Sequence, residues 1–175
     1  PAPASADDGA ATRSRLILAA MIGFRDGDFL LRLPTTWDGT DGRIAEVFNQ
    51  SIAQKQRIRS EVKRLSETVG KEGRLRQRMS MPGATGGWVE VADSINTLID
   101  DLVRPTTEIA RTIGAVAKGD LGQSMELEVD GRTLKGEFLR SAKLVNTMIE
   151  QLSVFSSEVT RVAREVGTEG KLGGQ

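Results

Sequence analysis

The feature that most constrains this chain is that it repeats itself. Gly27, Gly73 and Gly119 stand 46 residues apart by subtraction, and Gly170 follows 51 residues later. Val62 to Leu75 is echoed by Val159 to Leu172, and Gly27-Asp28-Phe29 by Gly119-Asp120-Leu121. A third echo links Phe48-Asn49-Gln50-Ser51-Ile52, Ile95-Asn96-Thr97-Leu98-Ile99 and Val145-Asn146-Thr147-Met148-Ile149. A period of about fifty residues means an array of small supersecondary units, not one thick core.

Each unit presents the same order of signals. Ile17, Ala20, Met21 and Phe24 fall at helical spacing, and Gly27 supplies a residue that tolerates the left-handed backbone of a helix end. Phe29, Leu31 and Leu33 then alternate with other residues, as in an extended stretch with one buried side. From Arg43 the helical spacing resumes through Ile44, Val47, Phe48 and Ile52. The third unit repeats this with Ile109, Ile113 and Val116, then Gly119, then Met125, Leu127 and Val129. The first connector, residues 28 to 41, is 14 residues long, against the ~2–8 that join antiparallel helices. Extended, it can return along the whole first helix, which makes the two helices of a unit parallel.

The second helix of the third unit carries the longest seam. Leu139, Ala142, Val145, Ile149, Leu152, Phe155, Val159, Val162 and Val166 advance in steps of three or four. That is a coiled-coil stripe, and one helix cannot bury it alone. No Gly or Pro interrupts 43–69 or 136–166, so each second helix is expected to run on into the next unit's first helix. The expected fold is all-α: tandem parallel four-helix coiled-coil bundles formed by a homodimer, with two helices per unit joined by an extended connector. The expected boundaries are a linker over 1–14, units over 15–58, 59–104 and 105–155, and the first helix of a truncated fourth unit over 156–175. The chain therefore reads as part of something longer.

Composition narrows the function. The chain has no Cys, which excludes disulfides and thiolate chemistry, and no His, which removes the commonest general base and a kinase phosphoacceptor. Its 24 basic and 24 acidic residues cancel, against the basic excess of a nucleic-acid surface. Aromatic residues make up 4%, which suits narrow helical seams. No apolar stretch approaches the roughly 20 residues of a membrane span. No catalytic, cofactor or metal site is expected.

With the repeat, the Gly-Asp turn and the Asn in each second helix in view, the chain resembles the HAMP family. More narrowly, it resembles the poly-HAMP arrays of large hybrid sensor histidine kinases, of the fungal osmosensing type and their bacterial relatives. The run Ser157 to Gln175 and the tetrapeptide Val145-Asn146-Thr147-Met148 carry the likeness, which covers about residues 16–175. The resemblance implies a cytoplasmic parallel homodimer that relays conformational change from an input domain to a kinase. By position it implies that Gly27-Asp28 and Gly119-Asp120 form the turn ending the first helix, and that Pro105 opens one. It also implies that Phe29 and Leu33, with Leu121 and Met125 or Leu127, are the buried connector positions. Gly73 lies in Glu72-Gly73-Arg74 where the others read Gly-Asp, so the middle unit is the divergent one. Asn49, Asn96 and Asn146, together with Lys55, are read as polar positions restricting register, and Leu152, Phe155 and Val159 as dimer-seam positions.

Bland readings win elsewhere. Gly167 to Leu172 lacks the spacing and the hydroxyl residue of a phosphate loop, and Pro82 to Gly87 reads as the middle connector. Asn49-Gln50-Ser51 is a sequon inside a helix, and the pairs Asp100–Asp101 and Glu126/Glu128 are solvated faces. Trp37 and Trp88 read as packing anchors in connectors. Two rivals remain: a passive coiled-coil dimerisation spacer, and a small α/β binding domain with Phe29–Leu33 and Met125–Val129 as strands.

Overall fold

The computed structural model describes residues 6–129 and 131–168. They form helix α1 (Ala6–Arg25), helix α2 (Gly39–Leu65), which continues directly into a π-helical turn (Ser66–Lys71), and helix α3 (Gly87–Ala117). A two-stranded hairpin follows, β1 (Glu128–Val129) and β2 (Arg132–Thr133), then helix α4 (Gly136–Thr168). The chain divides into two bodies, Pro1–Asn96 and Thr97–Gln175, and α3 contributes to both.

The described residues are all-α apart from that hairpin, whose register is Glu128 opposite Thr133 and Val129 opposite Arg132. Phe29–Leu33 forms no strand, and only the end of Met125–Val129 does. Two paired residues a side do not make a sheet with a core behind it, so the α/β reading is set aside. The extended connectors are single strands of chain lying on helices.

Parallel pairing is visible in the first repeat. Near the start of α1 the Arg13 guanidinium meets the Asp41 carboxylate at 3.2 Å, and near its end Phe24 meets Phe48, ring centroids 6.2 Å apart. Both sequences ascend together, so α1 and α2 run the same way. Between these contacts Ala20, Leu33 and Ala45 form a buried cluster, flanked by Ile17, Trp37 and Phe48.

Two expectations need correction. The sequence places a linker over 1–14, but the helix reaches back to Ala6. Residues 9–12 (Gly-Ala-Ala-Thr) include two of the best helix formers, and only one glycine opposes them. Pro105 does not open a helix. It is buried inside α3, which runs unbroken from Gly87 to Ala117. The lost N–H costs one rung, while strongly periodic apolar residues on both sides keep the helix going. The carbonyl left without its helical donor is that of Asp101; next to it the Thr106 hydroxyl lies within hydrogen-bond distance of the carbonyls of Leu102 (3.0 Å) and Val103 (2.9 Å). The turn expected at Gly170 lies outside the described residues.

Candidate functional site

The helix ends show how Gly-Asp and its substitute differ. Gly27 and Gly119 have φ of 89° and 85°, the left-handed region that glycine enters without strain. Their N–H groups reach back to Phe24 and Val116, while the next N–H groups, of Asp28 and Asp120, bond to Gly23 and Ala115. This pair of bonds satisfies the orphan carbonyls of a helix end. Each Asp then accepts from the backbone two residues on: Leu30 N–H to Asp28 at 2.9 Å, Gly122 N–H to Asp120 at 3.1 Å. The aspartate turns the chain into the connector.

Gly73 is also left-handed, with φ of 68°, but Arg74 has no such acceptor and pairs instead with Glu72 at 3.0 Å. The bonds around it are wider: Glu72 N–H to the Glu67 carbonyl and Arg74 N–H to that of Thr68.

Six residues after each turn glycine one connector side chain is buried: Leu33 (4% exposed), Met79 (5%) and Met125 (2%). Phe29 and Leu121 are half-buried, and Leu127 is exposed, so of the two candidates Met125 takes the buried place. An extended backbone pressed on a helix has an N–H and a C=O with no neighbouring strand to answer them. Asn in the second helix answers both. Leu33 N–H donates to Asn49 Oδ1 (2.8 Å) and Asn49 Nδ2 donates to the Leu33 carbonyl (2.9 Å). Asn96 does the same for Met79 (2.7 and 3.1 Å), and Asn146 for Met125 (2.7 and 2.9 Å). A carboxamide carries the same donor and acceptor as a peptide group, so each Asn stands in for a missing strand.

These three clamps revise the expectation that the asparagines are polar positions restricting register between helices: their polar atoms are spent on the connector. Lys55 likewise lies over the Trp88 ring, its ammonium 3.8 Å from the centroid, with Trp88 in the first turn of α3 and not in a connector. Trp37 is half-buried beside Arg13, whose guanidinium carbon is 5.9 Å from its ring centre.

The residues that make the clamps possible largely escaped sequence reasoning. Four positions before each Asn is a buried alanine: Ala45 (0%), Ala92 (9%) and Ala142 (0%). A larger side chain there would hold the connector off the helix. The recurrence Ala45…Asn49…Ile52, Ala92…Asn96…Ile99 and Ala142…Asn146…Ile149 is legible in the chain, but only Ala142 enters the sequence reading, as a seam position, because alanine is so common in helices.

Comparison with known proteins bears on this geometry. The HAMP domain family model matches residues 83–153, a stretch containing Asn96, the Gly119-Asp120 turn and the Met125–Asn146 clamp. Over those residues the chain is similar to HAMP domains. HAMP domains are non-catalytic signalling modules. The methyl-accepting chemotaxis protein McpB of Pseudomonas aeruginosa is 26% identical over 115 residues, 66% of this chain. The match spans 16% of that relative's length. No solved structure matches.

The seam residues beyond the last clamp have no cover in the described residues. Leu152 is 39% exposed, Phe155 67% and Val159 52%, and Val162 and Val166 continue the stripe. No helix among the described residues is long and apolar enough to cross a membrane.

Proposed function

We propose that the chain is a poly-HAMP relay: three HAMP-like units over 15–58, 59–104 and 105–155, and the opening helix of a fourth over 156–175, pairing in parallel with a second copy. The observation that carries this reading is the threefold clamp at one spacing from three turn glycines, of which the family match covers one in full. A connector fixed to the second helix by two hydrogen bonds behaves as part of that helix. In the first repeat the first helix packs on the buried connector residue through the apolar side chains Ile17 and Ala20, so it is the piece free to turn. Motion entering through one first helix thus changes the packing around one clamp and leaves through the continuous second helix.

The exposed stripe from Leu152 to Val166 supports the homodimer, since a patch of this length on one helix face is what a partner helix covers. The parent protein is a cytoplasmic sensor with an input domain before the array and an output domain after it. The likeness to hybrid sensor kinases points to a kinase output. The chemotaxis relative favours a second reading, in which the array feeds a chemoreceptor signalling tip.

Single cysteines at Leu152, Phe155 or Val159 test the dimer in this Cys-free chain. Symmetric disulfide crosslinks are expected at one or more of them, and their absence at all three sinks the parallel pair. The passive-spacer rival is separated by Gly119→Ala in the parent protein. A relay changes its output, whereas a spacer does not.

A further inference from the structure

The middle repeat holds one residue more than its neighbours between core and turn. Ala20 lies seven residues before Gly27 and Thr112 seven before Gly119, all buried on the first-helix face. In the middle repeat the buried residue is Leu65, eight before Gly73. The surplus sits in the π turn Ser66–Lys71, the widened ring that one inserted residue produces in a helix.

Both ends of that turn are held. Downstream, Gly73 leads to Met79, which Asn96 clamps. Upstream, Arg64 donates to the Arg78 carbonyl (2.7 Å), to Gln77 Oε1 (3.0 Å) and to both Glu61 carboxylate oxygens (3.0 and 2.9 Å). Glu61 Oε2 also accepts the Ser80 N–H at 3.1 Å. The helix before the π turn is thus tied to connector residues 77–80 on one side of the clamp and the turn glycine fixes the other side. The third repeat offers a comparison. It has the equivalent pair, Glu108 and Arg111, but their bond at 2.9 Å joins them to each other and, among the described residues, neither reaches the connector. That repeat has no surplus residue and no π turn. In the first repeat the two places hold Leu16 and Ala19, and again no π turn forms.

We propose that the Glu61–Arg64 brace is a rotation lock on the first helix of the middle repeat. Locked, it keeps Leu65 in the core and the surplus residue in the π turn. Released, the turn closes to α-helix and the upstream helix turns by one residue, about 100°. Ser66, exposed in the locked form and seven residues before Gly73, then takes the core position that Ala20 and Thr112 occupy in their repeats. The lock follows from the brace and the residue count and does not depend on what the array relays.

Thiol labelling of the whole chain tests this, because the natural sequence has no Cys. Single substitutions Leu65→Cys and Ser66→Cys are labelled with a maleimide in the native and in the Arg64→Ala background. In the native background the position-66 thiol is expected to react about tenfold or more faster than the position-65 thiol. With Arg64→Ala the ratio inverts, and the protection gained at position 66 is the decisive signal. An unchanged ratio overturns the lock, and so does a common acceleration at both sites, which is local unfolding. Deleting Val69 removes the surplus residue, so in that background Arg64→Ala is expected to leave position 65 protected; an inversion there also overturns the proposal. Should Arg64→Ala give no folded chain by circular dichroism, Arg64→Met removes the same guanidinium, and with it the bonds to Gln77, Arg78 and Glu61, while keeping most of the side-chain volume, and is read the same way.

Discussion

Replacing Asn146 by Ala removes two hydrogen bonds and leaves two backbone groups of Met125 without partners. Met125 is 2% exposed, so water cannot substitute freely at its N–H and C=O. Each buried group left unpaired costs about 1–3 kcal/mol, and the half-buried Asn site admits some water, so the expected loss is about 2–4 kcal/mol. In a cooperative unit of under a hundred residues that lowers Tm by roughly 8–32 °C. Urea unfolding of the purified chain followed at 222 nm measures it. Asn146→Asp sharpens the test. The carboxylate keeps the acceptor for the Met125 N–H but points a second oxygen, not a donor, at the Met125 carbonyl. That contact disfavours the charged form, so the folded pKa of the new carboxyl lies above its unfolded value. Stability recovered by protonation is then fully present below the unfolded pKa and is lost as pH rises through the folded one. The Asp variant should therefore approach the native chain in acid and fall away near neutrality. A loss under about 0.5 kcal/mol for Asn146→Ala, or an Asp variant with the same pH dependence as the native chain, would refute the clamp as an energetic element.

Further outcomes follow from single sites. Thr112 is fully buried with a hydroxyl that has no partner, where the sister repeats carry Ala20 and Leu65; Thr112→Val should stabilise the chain by about 1–2 kcal/mol, seen as a higher urea midpoint at constant m-value. The Arg64 hydrogen bond, helped by the Ser80 N–H, holds the Glu61 carboxyl below its ordinary value. Its contribution is thus present above the unfolded carboxyl pKa and fades as pH falls through the lower folded one; NMR titration of the side-chain carboxyl should show the depressed midpoint, and Glu61→Gln should flatten that part of the stability profile. Gly119→Ala forces a Cβ into φ of 85° and should cost about 1–2 kcal/mol in chemical denaturation. At Gly42 a Cβ would run into the Trp37 carbonyl, so Gly42→Ala should expose Trp37 and shift its fluorescence to longer wavelength.

The repeat, the turn glycines, the alternating connectors and the all-α class could be read directly because each leaves a period or a special residue in the chain. Leu33 and Met125 were among the expected buried positions for the same reason. The clamps were only half legible. Asn recurs visibly, but a polar residue in an apolar stripe looks the same whether it faces a partner helix or a backbone. Only coordinates show that Asn49 and Leu33, 16 residues apart, share two bonds. Pro105, which the family likeness places at a helix start, lies inside a helix of 31 residues, where apolar periodicity on both sides outweighs the one lost rung. The π turn left one trace, a spacing of eight where seven was the norm, and that trace means nothing until Leu65 is known to be the buried residue.

The distance from turn glycine to clamped residue is six in every repeat, yet the distance from clamped residue to its Asn is 16, 17 and 21. The hairpin of the third repeat occupies the longer interval. Each repeat therefore has a rigid arm and an elastic one, and length can be added to the second without touching the first. For protein engineering this marks a grafting port: a peptide tag or a small sensor domain placed between Val129 and Arg132 enters on the slack side of the clamp, where the helices need not move to receive it.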